Sequence, residues 1–291
     1  MSVSQVDPDQ YTRAGSITKA YFRDVYSAIE PTKSDLSQQG KVAIVTGAGK
    51  GIGRAIALAH AKAGAAGIVL ITRFSQSAEE TKSIIEADYP HVKVLALPTD
   101  ITDESEVSRS IDSIKSTFGT AHTLINNAGV FSSIATIDQA DPATWWKDFE
   151  VNVRGTYLVT AAFLRLAAAN IQPTIVNLVS TIALTPPSLS SYFVSKLAVA
   201  KFTEFLPLEN PNVAAYSLSP GIVLTDMTLD PFKPFAKDTA ELTGAVTVYL
   251  AAKRPQYLNG RHLVANWDVE ELEARKDELI SSDKLKVGQF I

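Results

Sequence analysis

Four glycines, Gly47, Gly49, Gly51 and Gly53, stand in the run VTGAGKGIGRAIA from Val45 to Ala57. Glycines packed this closely let backbone N–H groups approach a phosphate, and the residues between them decide which phosphate. A nucleoside-triphosphate loop needs Ser or Thr after its Gly-Lys pair to hold magnesium, but Gly51 follows Gly49-Lys50 and Ile44 stands where the first glycine belongs. The G-x-G-x-x-G pattern of many dinucleotide sites also fails, because Gly47 and Gly49 would require a glycine at Ile52. What fits is Gly-x-x-x-Gly-x-Gly. KVAIVT before it is an apolar, β-branched run of buried-strand type, and Ile52, Ile56 and Ala59 after it repeat at helical spacing. The loop therefore joins a strand to a helix whose positive end could face a pyrophosphate. Taken alone, it also reads as a glycine-rich turn that binds nothing.

The elements that must position this loop recur along the chain. KVAIVT, GIVLIT, VKVLALP, HTLINNA, TIVNLVS, VAAYSLSP and RHLVAN alternate with helical segments, which implies an α/β fold, a doubly wound parallel sheet of about seven strands with helices on both faces. Asp141-Pro142 reads as a helix start leading into TWWKDFEVNVRGTYLVTAAFLRLAA. Residues 41–266 carry the sheet pattern; 1–40 form a polar N-terminal extension with Tyr and Phe interspersed, and 267–291 a tail, packed on the domain or a partner subunit, whose EELEARKDELI resembles a solvated amphipathic helix.

With 291 residues, 46% hydrophobic and 20% charged, the chain suits one large α/β domain. Its 27 basic and 31 acidic residues are mixed along the chain at a net charge of −4, which offers no basic field for nucleic acid or an anionic membrane. With no cysteine there is no disulfide, thiol nucleophile or Cys-ligated zinc, and His60, His91, His122 and His262 lack metal-ligand spacing, so no metal is expected. The first thirty residues hold no apolar run of signal-peptide type and no later segment matches a membrane span; a cytoplasmic location is expected.

From Lys41 to Asn266 the chain resembles the short-chain dehydrogenase/reductase family, in its compact single-domain branch with a Rossmann-type fold. The matching pieces are TGAGKGIG, Asp100 after the third strand, NNAG at Asn126–Gly129, Asn152 in VNV, Ser180 after IVNLV, YFVSK at Tyr192–Lys196 and PGIVLT at Pro220–Thr225. Their order and spacing carry the likeness, since Tyr-x-x-x-Lys alone occurs three times. Tyr89/Lys93 is interrupted by Pro90 and a strand, so its ammonium points elsewhere. Tyr249/Lys253 is helical but belongs to the apolar stripe of Leu242, Val246 and Leu250, with no Ser twelve or thirteen residues upstream. Tyr192/Lys196 begins a helix and shares its face at i, i+4, with Ser180 twelve residues earlier at a strand end, where α/β sheets place ligands.

The resemblance implies an oxidoreductase acting on a carbonyl or secondary alcohol. Tyr192 would be the acid/base, Lys196 and a positively charged nicotinamide would lower its pKa from about 10, Ser180 would hydrogen-bond the reacting oxygen, and Asn152 would serve a water-linked proton relay. Lys196 would also hold the nicotinamide ribose, Asp100 and Ile101 would border the adenine, Asn126, Ala128 and Gly129 the adenosine ribose, and Ile222 and Thr225 the carboxamide, with Pro220-Gly221 turning close to the ring. A strand-end cap for Ser180, a structural amide for Asn152 and a sheet-centre turn for NNAG remain the plain alternatives.

For the cofactor, a carboxylate at the end of the second strand selects NAD by binding the ribose 2′-hydroxyl. Here that strand ends Ile71-Thr72-Arg73, with no acid before Glu79. Arg73, helped by Lys50, could meet a 2′-phosphate, so NADP(H) is expected. The alternative is that both cations only solvate the surface.

Departures from the family pattern are local. Pro207 and Pro211 should shorten the helix after Lys196, and Asn266-Trp267-Asp268 replaces the usual Asp-Gly-Gly. The terminal segments look most like those of fungal reductases. Residues 226–240 should cover the substrate; Phe232 and Phe235 suggest an apolar one, or an exposed loop burying its own aromatics. Trp145 and Trp146 are read as packing in a helix or subunit interface, and a homodimer or homotetramer is expected through the helices holding Trp146 and Tyr192. An isomerase or dehydratase on the same scaffold, or a non-catalytic NADP(H)-binding protein, are the other functions these residues allow.

Overall fold

A computed structural model describes residues 7–167, 171–181 and 185–288. Seven strands form one parallel sheet: β1 (Val42–Thr46), β2 (Gly67–Thr72), β3 (Lys93–Pro98), β4 (Thr123–Asn126), β5 (Thr174–Leu178), β6 (Ala214–Ser219) and β7 (Arg261–Val264). Their spatial order is β3-β2-β1-β4-β5-β6-β7. Every pairing is parallel, as expected for strands joined by crossover helices. The order reverses between β1 and β4, so the chain leaves in opposite directions from two neighbouring strand ends and opens a crevice there. The glycine loop leaves one of those ends and NNAG the other.

Ten α-helices are present among the described residues: α1 (Gln10–Ala14), α2 (Gly51–Lys62), α3 (Ser75–Asp88), α4 (Glu104–Phe118), α5 (Pro142–Asp148), α6 (Thr156–Leu166), α7 (Ser190–Glu209), α8 (Ala240–Lys253), α9 (Val269–Ala274) and α10 (Lys276–Ile280). The period-2 alternation of the strands feeds two cores. Ala43 and Val45 of β1 face a cluster built with α2, α8 and the terminal segments. Val42 and Ile44 face one built with α4, α6 and α7.

Three elements differ from the sequence expectation. Asp141 caps α5 by accepting from Thr144 N at 2.8 Å, as expected, yet the helix does not run on unbroken: a π-helical stretch, Phe149–Gly155, separates α5 from α6. Pro207 does not shorten α7, which continues through it to Glu209. A proline this near the end costs only the bond to the Thr203 carbonyl, and buried Leu206 beside it holds the turn in the core. The tail forms two short helices rather than one solvated one, with Leu272 and Leu279 fully buried.

The terminal segments cover the β7 side of the sheet. Tyr21 bridges Trp267 in antiparallel sense, His262 N donates to Leu285 O at 2.7 Å, and Arg261 donates to the Ser282 and Lys284 carbonyls. An edge strand left open would offer unpaired backbone groups to other chains.

Candidate active site

The glycine loop is held open by its neighbours. Gly47 has φ +66°, a conformation costly for any side chain, and a methyl group on Gly53 would collide with the Gly47 carbonyl oxygen and lie 2.6 Å from Asn127 Nδ2. From α3, Thr81 Oγ1 donates to the Ala48 and Gly49 carbonyls at 3.1 and 3.2 Å, and Arg54 also donates to the Gly49 carbonyl. Lys50 at the N-cap of α2 gives no side-chain hydrogen bond to the helix, whereas Asp103, Asp141 and Thr239 cap α4, α5 and α8. The first N–H groups of α2 are thus left for an anion, and Gly51, Ile52 and Gly53 lie at that uncapped end. A dinucleotide pyrophosphate fits this donor set.

Thr46 Oγ1, at the end of β1, accepts from Asn127 N and Ala128 N, each at 3.0 Å, and Asn127 Nδ2 donates to Thr46 O at 2.9 Å. These bonds lock the two walls of the crevice together. Asn126 points the other way: its amide donates to Thr160 Oγ1 and Asn177 Oδ1 at 2.9 and 2.8 Å inside the sheet. Only its main chain faces the crevice end, so its side chain serves the sheet centre.

On the far side, Asn152 lies in the π-helical stretch and is buried. Its Oδ1 accepts from Val130 N at 2.8 Å, and its Nδ2 donates to Val130 O and Ser195 Oγ, both at 3.0 Å. Ser195 in turn donates to Tyr192 O at 2.7 Å. Lys196, one turn beyond Tyr192 on α7, donates from Nζ to Leu178 O at 2.9 Å, two residues before Ser180 on the chain leaving β5. Its Nζ is 5.8 Å from the centre of the Tyr192 ring. Ser180 is half-buried, with no hydrogen-bond partner for its hydroxyl among the described residues.

Burial pushes the Tyr192 phenol up to about 12, and the Asp148 carboxylate adds to the rise. Burial also pulls the Lys196 ammonium down to about 8, with Asp148 opposing. Desolvation, rather than the acidifying effect expected of Lys196, sets the phenol, and a positive charge close beside it would oppose that rise. Asp148, fully buried, accepts from Ser132 N at 2.8 Å and Ser191 Oγ at 2.6 Å and fixes the start of α7. Asp148 and Ser195 escaped sequence reasoning: an acid four residues before Asn152 and a Ser before Lys196 carry no pattern of their own.

The remaining candidates are placed as follows. Arg73 is exposed, stacked on Phe74 with 5.5 Å to the ring centre. Burial would raise the Asp100 carboxyl, but hydrogen bonds from Thr102 and the charge of Arg73 hold it below the usual range. Ile101 is buried against Gly155. Lys50 forms an ion pair with Asp226, tying the glycine loop to the loop after β6, and Thr225 lies across from Gly51, 3.6 Å from where a methyl group there would sit. Ile222 N donates to Asp238 Oδ2 at 2.6 Å. Phe235 packs on Tyr11 of α1 edge-to-face at 4.7 Å, with Phe232 at 6.2 Å, so these aromatics meet the N-terminal extension. Trp145 donates to Ser190 Oγ at 3.0 Å, while Trp146 is 54% exposed.

Against this geometry, the residue pattern that defines the short chain dehydrogenases matches residues 41–233. The chain belongs to that family. Among curated short chain dehydrogenases it is 40% identical over 273 residues to mpl6 of Monascus purpureus, covering 91% of this chain and 93% of that one. To pigC of Monascus ruber it is 37% identical over 284 residues, covering 93% of each. Both are fungal, in keeping with the terminal segments. A solved short chain dehydrogenase from Salmonella enterica superposes with a TM-score of 0.74 at 25% identity over 80% of this chain and 98% of that one. As a short chain dehydrogenase, the chain is an oxidoreductase that binds a nicotinamide cofactor and acts on a small molecule. No helix among its described residues is long and apolar enough to cross a membrane.

Proposed function

We propose that this short chain dehydrogenase is an NADP(H)-dependent oxidoreductase interconverting a ketone or aldehyde and its alcohol. Tyr192 is the acid/base, Lys196 its charged neighbour, Ser180 the donor to the reacting oxygen and Asn152 a member of the proton path. The observation that carries the proposal is the buried Lys196 ammonium, fixed to Leu178 O at 2.9 Å and lying 5.8 Å from the Tyr192 ring at the crevice end of the sheet.

Gly47, Gly51, Ile52 and Gly53 would hold the pyrophosphate, Asp100, Ile101 and the Asn126, Ala128 and Gly129 main chain the adenosine, and Pro220, Gly221, Ile222 and Thr225 the nicotinamide. Bound there, the dinucleotide supplies or accepts a hydride at the substrate carbon. In reduction Tyr192 gives its phenolic proton to the carbonyl oxygen, and in the reverse direction it takes the hydroxyl proton. With a pKa near 8, Lys196 is mostly an ammonium at neutral pH and lowers the energy of the phenolate as it forms. Ser180 donates to the oxygen that becomes negative.

Arg73, exposed at the end of β2 and stacked on Phe74, favours a ribose 2′-phosphate. Lys50 could join it on leaving Asp226. Exposed apolar side chains on α5, α6 and α7, with Trp146 54%, Tyr157 54% and Phe205 48% exposed, favour a homodimer or homotetramer, and a cytoplasmic site of action fits the composition. Following nicotinamide absorbance with NADPH or NADH over a panel of ketones and aldehydes tests the function. NADPH oxidation matched by alcohol formation is expected; turnover of a hydroxy or carbonyl compound with no net cofactor change would show an isomerase or dehydratase instead. Light scattering at monomer mass would contradict the assembly.

A further inference from the structure

Among the described residues, the N-terminal extension reaches the candidate site through Arg23 without touching any residue assigned to chemistry. Asp238, between the substrate-side loop and α8, has a side chain that is fully buried. Its Oδ2 accepts from Ile222 N at 2.6 Å, and its Oδ1 accepts from Asn266 Nδ2 and from Arg23 Nη1, both at 2.8 Å. In return Asp238 N donates to Ile222 O at 3.3 Å. Gly221 turns with φ +81° against this carboxylate: a methyl group there would collide with Asp238 Oδ2 and lie 2.7 Å from Asn266 Oδ1. The turn Pro220–Ile222 is therefore moulded on one buried carboxylate.

Burying a carboxylate is costly unless hydrogen bonds and an opposite charge meet it, and among the described residues Arg23 is the one cation in ion-pair range of Asp238. Arg23 is in turn tied to Asp9 and to Pro8 O. The main chain around it is sewn to the same place: Phe22 N donates to Asn266 O and Thr239 N to Arg23 O, each at 2.8 Å. Asp24 accepts from Thr239 Oγ1 at 2.8 Å.

We propose that Arg23 is a positioning residue, which by pairing with Asp238 holds the Pro220–Ile222 turn in the shape that receives the nicotinamide half of the cofactor. The extension is thus part of the cofactor site through Arg23. This rests on the dinucleotide reading of the site above. A turn that visits its receptive shape only part of the time binds its ligand more weakly by that fraction. The loss falls on the nicotinamide half, because the adenosine half is held at the other end of the crevice by the glycine loop and Arg73.

The test titrates the full chain with NADPH and, separately, with adenosine 2′,5′-bisphosphate, which carries the adenosine half alone. For Arg23→Gln, NADPH affinity is expected to fall about tenfold while the fragment changes by less than about twofold. Arg23→Lys, which keeps the charge, should recover most of the loss. Asp238→Asn, which keeps one acceptor for three donors, should show the same selective pattern and covers the case in which Arg23→Gln does not fold. Unchanged NADPH affinity in these variants, or equal loss of both ligands, would overturn the positioning role while leaving the reading of the site intact. A parent protein that binds neither ligand would overturn the reading and the inference together.

Discussion

Asn152 Oδ1 and Lys196 Nζ close on Gly129 from two sides: a methyl group on that glycine would sit 3.1 Å from the first and 3.2 Å from the second. One leaves the π-helical stretch and the other α7, so two separate elements converge on the main chain that follows β4. A methyl group added there needs one or both of them to give by a few tenths of an ångström.

Gly129→Ala is accordingly expected to lower kcat/KM by more than about tenfold, with a destabilisation of about 1–3 kcal/mol typical of overpacking. Steady-state kinetics and urea unfolding measure the two effects. A fully active variant would mean that the Asn152 and Lys196 positions can shift without affecting the chemistry.

Arg73 is the positive charge at the end of β2. Arg73→Asp puts a carboxylate where the 2′-phosphate is proposed to lie, removing charge-assisted bonds worth roughly 1.5–3 kcal/mol and adding repulsion. The NADP-to-NAD ratio of kcat/KM should fall by about a hundredfold or more. A ratio unmoved by this exchange would remove Arg73 from cofactor selection.

His60 and His262 are buried, and burial pulls each down from 6.5 to about 4. Between these values the unfolded chain takes up protons that the folded one refuses, so folding stability falls as pH drops from 6.5 towards 4. Each contributes up to about 3 kcal/mol of that loss. The His60→Gln/His262→Gln variant should show a shallower dependence of unfolding free energy on pH across this window. A slope equal to the parent's would assign the acid sensitivity to other groups.

Much of this architecture is legible in the sequence because its signals are local. The strand runs are apolar and β-branched, and the pairing of Tyr192 with Lys196 follows from their spacing on one helix. The π-helical stretch was not legible, since one extra residue per turn leaves no mark in residue type. The path of α7 through Pro207 depends on buried Leu206 beside it, which propensity does not weigh. Nor could the sequence show that Arg23 meets Asp238, 215 positions away, because a lone arginine in a polar segment looks the same whether it is solvated or paired with a buried acid.

The central claim is that the Tyr192 hydroxyl delivers the proton, and Tyr192→Phe tests it most directly, since it deletes one oxygen from a ring that also packs on Phe131 at 5.2 Å. Measured on the best carbonyl substrate, kcat should fall by about 10²-fold or more while NADPH binding stays within a few-fold of the parent. A Phe variant that turns over as fast as the parent would contradict the account.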